Sequence, residues 1–142
     1  MQSQTTFQPT TPKQIGAVAK ASGVPIKTIR YYEELGLLQS VGRTAGGFRL
    51  FEDTVLSRLN FIKRSQQVGL SLAEIKEFLD VYDRGELPCD RVRERLASKL
   101  AAIEEQILQM QILRQQLRGL LSYEQPRSAV SETTICPILE QV

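Results

Sequence analysis

The sequence predicts a mainly α-helical protein with a small N-terminal head and one long C-terminal helix. Glycine is absent between Gly85 and Gly119, and proline is absent between Pro88 and Pro126. Across that interval apolar side chains recur in steps of three and four, which is the period of one helical stripe. Its members are Val92, Leu96, Leu100, Ile103, Ile107, Met110, Leu113, Leu117 and Leu120. No apolar run in the chain reaches transmembrane length.

The head carries the positive charge of the chain. Residues 11–64 contain nine basic and four acidic residues, whereas residues 81–142 contain eight basic and nine acidic residues. A basic front and a balanced, helical back favour nucleic acid as the partner of the front and protein as the partner of the back. Residues 1–11 are polar and lack the apolar core of a secretory signal. We expect them to be a disordered lead-in to a cytoplasmic protein.

Two short helices are predicted first, at residues 12–21 and 26–35. Pro25 suits the start of the second helix, and Gly36 ends it. Two short helices joined by a glycine-containing turn form the helix-turn-helix arrangement, whose second helix enters the major groove of DNA. The outward residues of that helix, expected to meet DNA, are Lys27, Thr28, Arg30 and Tyr31.

A small basic hairpin follows the helix pair. Gly46 and Gly47, between short apolar and basic runs, predict a β-turn that joins two strands. Arg43 and Arg49 flank this turn, with Phe48 between them. We interpret the hairpin as a wing, whose arginines reach phosphates and whose aromatic ring packs on a sugar or back onto the head. The alternative is a solvated surface turn whose arginines contact nothing.

Two more helices complete the head, which is predicted to span residues 12–80. The first opens at residues 51–53 with acids in its first turn, ends at Gly69 and exposes Arg58. The second begins at a capping box, Ser71 to Glu74.

The remaining chain divides into a connector at residues 81–89, the long helix at residues 90–122, and a C-terminal segment at residues 123–142. The helix would extend about 50 Å at 1.5 Å per residue, which is too long for the rest of a small chain to cover. A second copy of the chain is therefore expected as its partner, in a parallel or an antiparallel coiled coil.

Together these motifs resemble the MerR family of transcription regulators. The residues that carry the resemblance are Ile15-Gly16-x-Val18-Ala19, Thr28-Ile29-Arg30-Tyr31-Tyr32-Glu33, Gly36-Leu37-Leu38, Arg43-x-x-Gly46-Gly47-Phe48-Arg49-Leu50-Phe51, Leu59-x-Phe61-Ile62 and Gly69-Leu70-Ser71-Leu72-x-Glu74-Ile75. The resemblance implies winged helix-turn-helix heads joined in a homodimer by an antiparallel coiled coil. It also implies promoter DNA as the ligand, and an effector that makes the protein bend and untwist this DNA so that RNA polymerase engages both promoter elements.

Two cysteines are the candidate effector ligands. A structural disulfide is disfavoured in the cytosol, and a chain without histidine must bind a transition metal through thiolate, carboxylate or backbone oxygen. In an antiparallel dimer, Cys89 of one subunit lies near the loop that carries Cys136 of the other, so two chains supply a thiolate pair for a soft metal ion. The resemblance points to the branch that senses divalent mercury, zinc, lead or cadmium, because Cys89 stands at the start of the dimerisation helix, where copper(I) sensors typically carry serine.

The chain departs from that branch at one ligand. The proximal cysteine of the family's binding loop falls near Ser122, and an alcohol is a poor replacement because it stays protonated at neutral pH. Two thiolates suffice for linear mercury, and a carboxylate would complete a weaker site. The candidate carboxylates are Glu124, Glu132 and Glu140.

Two other functions stay open at this point. Cys89, beside a helix start with Arg91 and Arg93 nearby, is a candidate for a reactive thiol that senses oxidants or electrophiles. An architectural DNA-binding dimer with inert, buried cysteines is the other. The sequence does not predict an enzyme, since it contains no histidine, nucleophile elbow or phosphate-cradling glycine loop.

Overall fold

The computed structural model describes residues 11–124 and 129–140, and its chain divides into two units, residues 1–92 and 93–142. The lead-in predicted at residues 1–11 lies outside the described residues except for Thr11. The elements are β1 (Lys13–Gln14), α1 (Ile15–Ser22), α2 (Ile26–Glu34), β2 (Gly42–Arg43), β3 (Arg49–Phe51), α3 (Thr54–Gln67), α4 (Leu72–Asp83) and α5 (Cys89–Leu121). In the described part of the chain, no helix combines the length and the apolar character needed to cross a bilayer.

The first unit holds a three-stranded antiparallel sheet in the order β1-β3-β2. Strand β1 was not predicted: the expected helix at residues 12–21 begins only at Ile15, because Lys13 and Gln14 pair with Phe51 and Leu50 of β3. The helix-turn-helix pair is confirmed. Helix α2 begins after Pro25 and ends just before Gly36, whose φ of 79° lies in the left-handed region that favours glycine.

The head has one core, to which β3 and helices α1 to α4 contribute. Its fully buried side chains are Val18, Ile29, Leu37, Leu38, Phe51, Leu59, Ile62, Ile75 and Phe78. Burial of an apolar side chain of this size contributes about 1.5–3 kcal/mol, so the head contains its own source of stability. The inward orientation predicted for Ile29 and Tyr32 is confirmed.

Two features of the third helix differ from the prediction. Helix α3 begins at Thr54, and no acid lies in its first turn, because Phe51 is the last residue of β3. Asp53 lies just before the helix and pairs with Lys13 at 3.3 Å. Arg58 is not on an exposed face: its side chain is only 17% exposed, its Nε donates to the Leu37 carbonyl at 2.9 Å, and its guanidinium pairs with Asp83.

The capping box of helix α4 is confirmed. The Glu74 backbone N–H donates to Ser71 Oγ, and the Ser71 N–H donates to Glu74 Oε1, both at 3.1 Å. The helix continues three residues beyond the predicted end at Asp80, because Val81 packs as a buried residue. Residues 84–88 then link α4 to α5. Arg91, in the first turn of α5, donates to Glu77 of α4 at 2.8 Å.

The long helix is confirmed as α5, and none of its residues is buried. The predicted C-terminal turn is also present: the Glu140 N–H donates to the Cys136 carbonyl at 3.2 Å. In return, the Cys136 N–H donates to Glu140 Oε2 at 2.8 Å. Residues 125–128 and 141–142 of the predicted C-terminal segment lie outside the described residues.

Candidate nucleic-acid interface and thiol positions

Helix α2 presents a polar face on the head. Lys27, Arg30 and Tyr31 follow the i, i+3, i+4 spacing that places side chains on one side of a helix, and all three are exposed. Lys27 and Arg30 make no hydrogen bond or ion pair with the residues that the structure describes. Thr28 is half-buried at the edge of this face. The two free cations suit contact with phosphates or base edges.

The opposite side of α2 is anchored in the head. Ile29 is fully buried, and the Tyr32 hydroxyl donates to Gln66 Oε1 of α3 at 3.1 Å. The Tyr31 ring lies 6.4 Å from that of Tyr32, with 42° between the ring planes. A helix held this way presents its exposed side chains from a rigid support, which favours precise recognition.

The hairpin is a closed turn between β2 and β3. The Thr44 N–H donates to the Phe48 carbonyl at 2.8 Å, and the Gly47 N–H to the Thr44 carbonyl at 2.9 Å. Phe48 is 63% exposed. Its ring covers Gly46, where an added Cβ would lie 3.3 Å from the ring. The ring therefore packs on its own turn and not on the core, which leaves its outer face available to a sugar.

The two wing arginines have different surroundings, although they lie opposite each other in the β2–β3 ladder. Arg43 is exposed and makes no ion pair within the described part of the chain. Arg49 is half-exposed, and its Nη1 lies 3.3 Å from Glu33 Oε2, at the end of α2. This ion pair fixes β3 beside α2. The partner role of Glu33 was missed from the sequence, although the residue belongs to the motif that follows Arg30.

The two cysteines are free, and each lies in a different unit of the chain. Cys89 is exposed as the first residue of α5, whereas Cys136 is half-buried in the C-terminal turn. Among the described residues of one chain, no three metal-ligating side chains of the His, Cys, Asp or Glu type come together. A single subunit therefore does not assemble a complete metal site from these residues.

The neighbours of the thiols refine the predicted ligand set. Ser122 Oγ donates to the Gly119 carbonyl at 2.9 Å, so this alcohol is occupied with the end of α5. Glu140 belongs to the same turn as Cys136 and is held there by the Cys136 N–H. Glu124 and Glu132 are exposed. Arg91, one of two arginines considered as activators of Cys89, is engaged by Glu77.

Comparisons with known proteins agree with this architecture. The family model for MerR HTH family regulatory proteins matches residues 14–81, and the model described as MerR, DNA binding matches residues 56–120. The mercuric resistance operon regulatory protein of Bacillus cereus is 35% identical over 127 residues, which cover 89% of this chain and 94% of that protein.

Solved structures give the same result. The lead(II) complex of the transcription regulator PbrR691 from Ralstonia metallidurans CH34 superposes with a TM-score of 0.67 at 31% identity, covering 82% of this chain and 91% of that one. HiNmlR, a MerR family regulator that lacks the sensor domain and is bound to promoter DNA, gives a TM-score of 0.51 at 29% identity, covering 78% of this chain and 81% of that one.

Proposed function

The chain belongs to the MerR family of DNA-binding transcription regulators, which are not enzymes, and on that premise we propose that it is a metal-responsive activator. The effector is a thiophilic divalent ion, namely mercury, zinc, lead or cadmium, and the target is a metal-resistance or homeostasis promoter. The observation that carries the proposal is the position of Cys89, a free and exposed thiol at the first residue of a long helix with no buried residue. Similarity to a mercuric resistance regulator and to a lead-bound regulator supports it.

The protein acts as a homodimer in the cytoplasm. Helix α5 exposes an apolar stripe that includes Leu100, Ile103, Ile107 and Leu117, each 45–55% exposed. An exposed stripe of this length marks an interaction surface, since the apolar area is removed from water only by a partner. An antiparallel pair of α5 helices covers the stripe and places the start of one helix near the end of the other.

Each head binds one half of a promoter palindrome. The residues assigned to DNA contact are Lys27, Thr28, Arg30, Tyr31, Arg43, Phe48 and Arg49. Helix α2 enters the major groove and the wing contacts the adjacent backbone. Effector binding distorts the DNA so that RNA polymerase engages the promoter.

The metal is held between subunits by Cys89 of one chain and Cys136 of the other. Soft thiolates select thiophilic ions, and binding releases both thiol protons. Glu140 is the preferred third ligand, because its carboxylate already lies in the turn that carries Cys136. The signal passes from Cys89 into the head through the first turn of α5, which Arg91 ties to Glu77 of α4.

The test is a titration of the reduced dimer with mercury, zinc, cadmium or lead ions, together with transcription in vitro. Cys89→Ser and Cys136→Ser should each abolish metal-induced transcription and leave DNA binding intact. Arg30→Ala should do the reverse, weakening operator binding and reducing its salt slope by about 1 while leaving metal binding unchanged.

Each alternative function has its own outcome in this test. Induction by peroxide or an electrophile that depends on one cysteine, without metal binding, would identify a thiol sensor. Transcription that no cysteine variant affects, in a protein that binds no metal, would identify an architectural dimer. Either result would refute the metal-responsive function.

A further inference from the structure

Glu33 is an acidic residue in the last turn of α2, the helix assigned to the major groove. A negative charge on an element that approaches phosphates opposes binding by repulsion. The proposed DNA contacts give Glu33 no role. Glu34, its neighbour, is exposed and makes no hydrogen bond or ion pair with the residues that the structure describes. Glu33 differs, since its side chain is only 18% exposed.

The contacts of Glu33 connect three parts of the head. Its Oε2 is shielded from solvent and accepts no hydrogen bond from any described residue. The charge that compensates this oxygen is the guanidinium of Arg49, with Nη1 at 3.3 Å. Its Oε1 accepts a hydrogen bond from Ser40 Oγ at 3.4 Å, in the segment between α2 and the wing. A shielded carboxylate oxygen is costly without a charged partner, so Glu33 holds Arg49 in a defined position.

The strand register adds a second reason for this contact. Arg43 and Arg49 are directly opposite in the β2–β3 ladder, and like charges in that arrangement destabilise a pair of strands. By neutralising Arg49, Glu33 relieves this repulsion and leaves Arg43 unpaired for a phosphate.

We infer that Glu33 is a positioning residue: by holding Arg49, it sets the wing relative to α2 so that both elements meet the same stretch of operator. This inference rests on the proposed DNA-binding surface. It makes a prediction opposite in sign to simple electrostatics. Removal of the negative charge at position 33 weakens specific binding, although it also removes a repulsion from the phosphates.

The experiment compares Glu33→Gln with its matched control Glu34→Gln in the full-length protein. The probes are an operator duplex, selected by the wild-type protein from random sequence, and a scrambled duplex of equal length. Glu33→Gln should lower operator affinity about fivefold, the loss expected for one misplaced contact, without lowering affinity for the scrambled duplex. Glu34→Gln should leave the ratio of the two affinities unchanged. All affinities are measured below each variant's unfolding temperature, followed by circular dichroism.

A double-mutant cycle tests whether Glu33 acts through Arg49. In an Arg49→Ala background, Glu33→Gln should cause no further loss of operator affinity, because the coupled partner is already absent. Additive losses, or an unchanged affinity ratio in Glu33→Gln, would overturn the positioning role. Arg43→Ala separates this failure from that of the DNA surface: if neither Arg43→Ala nor Arg49→Ala weakens operator binding, the wing contacts themselves are wrong.

Discussion

The head and the long helix solve the problem of stability in opposite ways. The head buries side chains from β3 and from each of its helices α1 to α4 around one core, with Phe51 and Phe78 fully inaccessible to solvent. Helix α5 has 33 residues and buries none of them, although its apolar stripe is as regular as any segment of the chain. Burial is the main favourable contribution to folding. The head can therefore be stable by itself, whereas α5 gains comparable stabilisation only from a partner.

The largest expected effect comes from a charge placed in the apolar stripe. Ile107→Lys should convert the dimer to a monomer, since an unpaired ammonium group would be buried in the helix interface. Loss of the second head should lower operator affinity by about 100-fold or more, because two linked half-sites no longer bind together. Sedimentation gives the mass, and a titration with labelled operator gives the affinity.

Ala101→Lys is the matched control, since Ala101 lies on the side of α5 away from the stripe. It should leave the mass and the operator affinity unchanged. A dimer that persists in Ile107→Lys would show that the stripe is not the interface.

The next effect is confined to the head. Phe78→Ala removes a fully buried ring and should lower the free energy of unfolding of the head by about 3–5 kcal/mol. Because the lost contacts lie within one chain, the loss should not depend on protein concentration, whereas the unfolding of Ile107→Lys and wild type should differ in that dependence. Urea denaturation at several protein concentrations measures both.

Val41→Ala, at a position that is 52% exposed, is the control for Phe78→Ala and should cost less than about 1 kcal/mol. A Phe78→Ala loss that shrinks as the protein is concentrated would mean that the head also depends on the partner subunit.

The smallest effect sharpens the comparison at a single cap. Ser71→Ala removes the side chain that accepts the Glu74 N–H at 3.1 Å and should destabilise the head by about 1 kcal/mol. Ser57→Ala, on an exposed helix position without a cap, should have no measurable effect. Equal denaturation midpoints for the two variants would remove the capping box from the account of head stability.

The sequence predicted those features that depend on local pattern. The helix-turn-helix pair, the capping box and the uncovered stripe of α5 each follow from spacing over a few residues. Strand β1 did not, because two residues have no period and Lys13 and Gln14 become a strand only by pairing with β3. The end of α4 was also missed, since Val81 was assigned to the connector although the core buries it.

The site shows the same division. The outward positions on α2 and the wing arginines were predicted from pattern, and their exposure is observed, but their DNA contacts stay predictions. The ion pairs that organise the head were missed because each joins residues distant in the sequence. Arg58 looked exposed by helical spacing, yet it binds Asp83 and the Leu37 carbonyl. Whether Cys89 and Cys136 meet depends on a second chain, which no pattern within one chain can locate.

The most direct test of the central claim is complementation between two inactive variants. A mixed dimer is formed from one Cys89→Ser subunit and one Cys136→Ser subunit, carrying different affinity tags, and mercury binding is counted per dimer. If each site takes one thiol from each chain, both homodimeric variants should lack the two-thiolate site, and the mixed dimer should regain one. If the mixed dimer also lacks it, the two cysteines do not meet across the interface, and the helix would have a partner but the proposed sensor would not exist.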